Sequence, residues 1–168
     1  IVLVAIDLAE AEFDLPLVRW CWLAFGSEGR LEQTLVTDQD NGIIFATDKG
    51  EDADQLRARF LPFAQHVNAL LDRCGFSLCK GGVMAGNPKW CLSLAEWRGC
   101  FAEWMRAVSA DDLLNSTIFF DFRPLAGDWA LPMALKRWLL QMAADNPLFL
   151  RFMAANALRS GPPLGRIR

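Results

Sequence analysis

The stretch GSEGRLEQTLVTDQDN, Gly26 to Asn41, decides how this chain is read. It follows the apolar run Trp20–Phe25 and opens on a Gly-Ser pair. Two aspartates, Asp38 and Asp40, close it with one residue between them. Read as a strand from Asp38 to Ile44, alternation puts both carboxylates on one face. Two like charges so close repel, and each resists ionising unless a cation sits between them. Oxygen-only ligands favour magnesium or manganese. A Gly-Ser turn after a strand offers free backbone N–H groups and a hydroxyl, donors that suit phosphate. Together these residues suggest a site for a metal-bound nucleotide.

Upstream, Val2–Phe13 has apolar residues at helical spacing, and Pro16 ends that helix. Leu17–Phe25 fits a buried strand, Gly26–Thr37 a turn and a short polar helix, and Gly42–Ala46 the continuation of the second strand. Downstream, Ala53–Cys74 reads as a long amphipathic helix, with Asp52 or Asp54 as caps. Leu56, Phe60, Phe63, Val67, Leu70 and Leu71 lie on its buried side, and Pro62 is expected to kink or split it. Phe76–Lys80 reads as a short strand, KGGVMAGNPKW (Lys80 to Trp90) as a Gly-rich loop and Leu92–Val108 as a helix. Asp111–Asn115 reads as a helical link, TIFFDFR (Thr117 to Arg123) as the clearest strand, and Pro124–Asp128 as a turn. Leu131–Ala144 and Pro147–Leu158 look like closing helices. Strands interrupted by helices give an α/β (α+β) class, with a small mixed sheet flanked by helices. The expected division is a lead-in helix over 1–16, a core over 17–128, and closing helices with a linker start over 129–168.

At 168 residues the chain fits one domain with appended helices, and its 53% apolar content promises a substantial core. A net charge of −3 argues against nucleic-acid binding by phosphate neutralisation. Five cysteines, at 21, 74, 79, 91 and 100, form no C-x-x-C pair, and there is one histidine. Buried free thiols in a reducing cytoplasm suit them better than zinc. The start, IVLVAI, is too short for a signal peptide or a membrane span. It reads as an element opened by the chain boundary and GPPLGRIR as a linker, so the chain is expected to be a piece of a longer protein.

Asp121, in an otherwise apolar run, is costly unless it is paired or ligates metal. An ion pair with Arg123 explains it; so does a shared site with Asp38 and Asp40. Three carboxylates on adjacent strands can hold two divalent ions roughly 3.5–4 Å apart, an arrangement used for in-line attack at phosphorus.

Gly-Ser, then Asp-x-Asp, then a distant aspartate resembles the polymerase-beta-like nucleotidyltransferase superfamily. GSEGRLEQTLVTDQDNGI, CKGGVMAGNPKW and STIFFDFRPLAGD are closer still to one branch. That branch is the nucleotidyltransferase module of bacterial signalling proteins, which commonly carry cyclic-nucleotide-binding and CBS domains upstream and a helical domain downstream. The module is similar to the catalytic domains of PII uridylyltransferase and glutamine-synthetase adenylyltransferase. In the latter a strand aspartate precedes an arginine-proline-glycine turn, much like Asp121, Arg123, Pro124 and Gly127. The resemblance covers about Leu17 to Asp128. It implies that Gly26 and Ser27 hold the β- and γ-phosphates and that Asp38 and Asp40 are the metal-binding pair. It also implies that Asp121 binds the catalytic metal and helps deprotonate the acceptor hydroxyl. The implied ligands are a nucleoside triphosphate, Mg2+ or Mn2+, and an acceptor that by analogy is a protein; neither a membrane nor a nucleic acid is expected.

Other residues keep two readings. Arg30 contacts the triphosphate or pairs with Glu28 or Glu32. Lys80 is a phosphate or base contact, or the start of a plain tight turn. Asn87 binds the base or caps a turn, and Asn41 orients a carboxylate. Arg123 neutralises charge at the transition state, pairs with Asp121, or both. His66 and the tryptophans read as packing rather than chemistry. The helical tail could pair two copies. A regulatory module that binds nucleotide without turnover is the rival to an enzyme.

Overall fold

The structure, a computed structural model, describes residues 1–32, 38–106, 119–147, 149–151, 153 and 154. The elements are α1 (Val2–Glu10), β1 (Trp20–Ala24), α2 (Gly26–Gly29), β2 (Asn41–Phe45) and α3 (Ala53–Arg73). They continue with β3 (Cys91–Ser93), α4 (Leu94–Arg106), β4 (Arg123–Gly127) and α5 (Ala130–Ala144). The sheet runs β3-β2-β1-β4. β1 pairs antiparallel with both β2 and β4, and β2 runs parallel to β3, so the sheet is mixed as expected.

WCWLA and NGIIF are apolar on both sides because helices cover both faces. Trp22, Ile43 and Phe45 meet α1 and α3 through Ile6, Ala9, Phe60, Phe63 and Val67. Cys21, Leu23 and Ile44 meet α4 and α5 through Trp97, Phe101, Leu131 and Leu135. Each fully buried large side chain contributes about 1.5–3 kcal/mol from area removed from water. Asp52 caps α3 by accepting from the Asp54 N–H at 2.9 Å. Pro62 does not split α3, which runs as one helix from Ala53 to Arg73.

Two expectations need correction. The first concerns TIFFDFR. Phe119 and Phe120 are helical, Asp121 lies in a turn, and the strand is RPLAG, Arg123–Gly127, where a turn was expected; Thr117 and Ile118 lie outside the described residues. A strand would send successive phenylalanines to opposite faces. The helical turn instead buries Phe119 and Phe122 in the same core and leaves Asp121 exposed. Pro124 is tolerated because β4 is an edge strand with an irregular register opposite Trp22 and Leu23.

The second concerns the segment before α4. Leu92 is not helical: Cys91–Ser93 is a strand, and α4 starts at Leu94. Ser93 and Glu96 form a capping box. The Glu96 N–H donates to Ser93 Oγ at 3.2 Å, and the Ser93 N–H to Glu96 Oε2 at 2.7 Å. Phe76–Lys80 contributes only one isolated bridge, Ser77 to Asp38. Asp111–Asn115 lies outside the described residues, as does the end of the last expected helix.

Candidate functional site

β1 ends at Ala24, and the chain turns through Gly26 into α2. Gly26 has φ +53°, and a Cβ there would lie 2.7 Å from Asp40 Oδ2. Backbone conformation and space both demand glycine, and the Asp40 carboxylate sits directly over the start of α2. Ser27 follows, half-buried, and Arg30 closes the short helix. The Phe25 N–H donates to the Asp40 carbonyl at 2.8 Å, which fastens the aspartate segment to the end of β1. Regular pairing in β2 begins at Asn41, yet alternation extends back through this segment. Asp38 is exposed, Gln39 is buried and Asp40 is half-buried.

Burial pushes the Asp40 carboxyl above its ordinary range; a hydrogen bond with the Cys79 thiol opposes this, the Asp38 charge adds to it, and Arg30 opposes it. Asp38, Asp40 and Arg30 therefore share one field. The Glu28 carboxyl is also raised by burial, with Arg123 opposing and Asp40 adding.

Asp121 comes from the other side. β1 separates β2 from β4, so Asp40 and Asp121 flank the end of β1 rather than sitting on adjacent strands. Two strand spacings amount to about 9.5 Å between those backbones. The Asp121 side chain is 56% exposed and lies 3.9 Å from Arg30 Nη1. A Cβ on Gly29 would collide with the Asp121 carbonyl oxygen, so that turn packs directly on α2. Arg30 stands between the two acidic positions and also pairs with Glu32 at 2.7 Å. Arg123 makes no ion pair with Asp121 among the described residues; its Nη2 donates to the Glu28 carbonyl at 3.1 Å.

Among the described residues no three Asp, Glu, His or Cys side chains are arranged to hold a metal ion. The Asp38–Asp40 pair nevertheless fits magnesium. That ion typically takes one or two protein carboxylates and completes its shell with substrate phosphates and water.

Behind the aspartates lies a buried amide network. Gln39 Nε2 donates to the Asn68 and Phe76 carbonyls, and Asn68 Nδ2 donates to Gln39 Oε1 and Asn41 Oδ1. Asn41 Oδ1 also accepts from the Ala85 N–H, and Asn68 Oδ1 from the Gly86 N–H. Asn41 therefore latches the Gly-rich loop instead of orienting a carboxylate. Asn87 is a cap: Oδ1 accepts from the Lys89 N–H, and Nδ2 donates to the Gly82 carbonyl. Lys80 is exposed in that loop, next to Cys79. His66 packs on Phe13 and lies 3.5 Å from Glu12, away from the aspartates. Among the thiols Cys21 and Cys91 are buried and pushed up to about 12 by burial, whereas Cys74 is exposed.

The profile of the family described as Putative nucleotidyltransferase DUF294 matches residues 1–111. The chain belongs to that family. The DUF294 match includes Gly26, Ser27, Arg30, Asp38, Asp40 and Lys80 and stops short of Asp121. No curated protein and no solved structure matches the chain. Beyond the residues expected from the sequence, the structure adds Glu28, Gly29, Cys79 and Asn68 to this cluster. Asn68 carried a readable signal: it is an amide on the otherwise apolar face of α3.

Proposed function

We propose that this chain is a metal-dependent nucleotidyltransferase that moves a nucleoside monophosphate from a nucleoside triphosphate to an acceptor hydroxyl. The observation that carries the reading is the Asp40 carboxylate packed over Gly26, beside Asp38 and Arg30, in a chain of the DUF294 family. Gly26 and Ser27 hold the β- and γ-phosphates. Asp38 and Asp40 would hold magnesium or manganese, which would neutralise phosphate charge and lower the acceptor's pKa; Asp121, across the end of β1, would take part from the acceptor side. Arg30 neutralises phosphate charge from between the acidic positions.

The acceptor oxygen forms a bond to the α-phosphorus, the bond to the pyrophosphate leaving group breaks, and the acceptor proton passes to the Asp121 carboxylate. Positioning and charge neutralisation supply most of the rate, as in phosphoryl transfer generally. A protein side chain is one candidate acceptor, and the candidate setting is a signalling protein with cyclic-nucleotide-binding and CBS domains. Both extend the family resemblance, an argument by analogy.

The rival reading, a regulatory module that binds nucleotide without turnover, draws on the separation of Asp121 from Asp40 by β1. A screen of α-labelled nucleoside triphosphates against a cell lysate separates the two. Label transferred to an acceptor, and lost with Asp40→Ala, supports the enzyme; saturable binding without transfer supports the module.

A further inference from the structure

A cavity of about 230 Å3 opens beside the end of α2, at Gly29 and Arg30. Arg30, Asp121, Arg123 and Lys136 line it, and Phe122, Pro132 and Met133 form apolar walls. Three cations thus share a small space with one carboxylate. Arg30 is engaged by Glu32 and Asp121. The other two are not so engaged among the described residues. Arg123 spends Nη2 on a backbone carbonyl and, among the described residues, makes no ion pair. Among the described residues Lys136 makes no ion pair, and its ammonium lies 5.8 Å from the Phe122 ring centroid.

Like charges gathered beside apolar walls repel, and an anion relieves that repulsion. A guanidinium fork and an ammonium together match a phosphate or a carboxylate. The volume suits a small group and falls below the range of about 300–1,000 Å3 typical of whole-ligand sites.

We infer that this cavity binds an anionic group, a phosphomonoester or a carboxylate, on the acceptor whose hydroxyl is deprotonated by Asp121. The inference rests on the transferase reading and narrows its acceptor. The anion is held by Arg123 and Lys136, and the neighbouring hydroxyl is delivered to the Asp121 carboxylate at the cavity's edge. An uncharged alcohol lacks that anchor and is a poor acceptor.

Calorimetry on the full 168-residue chain tests this, with glycerol 3-phosphate, glycerate and glycerol as probes and magnesium-ATP titrated separately. At least one of the two anions is expected to bind saturably, and glycerol is not; which anion binds tells the phosphate source from the carboxylate source. Lys136→Gln is expected to weaken anion binding at least fivefold and Lys136→Glu to abolish it, while magnesium-ATP affinity changes less than twofold in both. No anion binding, equal binding of glycerol, binding that survives Lys136→Glu, or displacement of the anion by magnesium-ATP overturns the inference. Absence of magnesium-dependent binding for every nucleoside triphosphate, or binding unchanged by Asp40→Asn, instead marks a failure of the transferase reading, so the two failures are told apart.

Discussion

Asp40 bears the tension of the site. Its carboxylate is half-buried, repelled by Asp38, and only partly compensated by Cys79 and Arg30. Because folding raises its pKa above the ordinary 3.8, its contribution to stability is greatest below that value and is lost as pH rises through the folded pKa. At neutral pH the charge is therefore a net cost. Asp40→Asn keeps the shape and removes the charge. It is expected to abolish nucleotidyl transfer while raising Tm at pH 7 by about 2 °C, a gain that fades toward about pH 4. Scanning calorimetry across that range, beside an activity assay, checks both signs. The Asp-x-Asp spacing was legible in the sequence because alternation is local. The position of Asp121 was not, because burying Phe119 and Phe122 in one core outweighs the strand preference of TIFFDFR.

At the scale of elements, local hydrogen bonds set the boundaries. Burial pushes Glu96 up, yet the Ser93 hydrogen bonds and the Arg57 ion pair hold its carboxyl below the ordinary 4.5. That stability is present above 4.5 and is lost as pH falls through the folded value. Glu96→Gln is expected to cost about 1 kcal/mol at pH 7, modest because solvent screens a carboxylate that is a third exposed, and to converge with the parent in acid. Urea unfolding at the two pH values reads this. The S-x-x-E signature was present in the sequence and places the start of α4; β3 was hidden because three residues carry no period of their own.

The Gly-rich loop is a second case. Its backbone is pinned by Asn68 and Asn41, so Asn68→Ala leaves buried partners unpaired and is expected to destabilise by about 2–3 kcal/mol. It should also weaken nucleotide binding, because Gln39, held by Asn68, sits between the two aspartates. Paired denaturation and binding titrations measure the two effects. The amide on the apolar face of α3 marked the place, but its partners lie 27 and 29 residues away in the chain, beyond any local pattern.

For the whole molecule, the sheet is a partition between two cores. Phe63 anchors the α1–α3 side, with its ring 5.4 Å from Trp20 and 6.2 Å from Trp22. Phe63→Ala is expected to cost about 3–5 kcal/mol, read as a lower urea midpoint. Both cores were legible as helix faces and apolar runs. The sheet order was not, because pairing β4 beside β1 depends on contacts about 100 residues apart. That order sends Asp40 and Asp121 to opposite sides of one strand end. No helix among the described residues is long and apolar enough to cross a membrane.

The central claim is that a metal-bound triphosphate sits over Gly26 and is held by Asp40. Calorimetric titration of each nucleoside triphosphate, with and without magnesium, into the parent chain and Asp40→Asn tests it most directly. The account predicts saturable, magnesium-dependent binding of at least one triphosphate to the parent and at least a tenfold loss in the variant. Binding that is indifferent to magnesium, or equal in the two proteins, would contradict it.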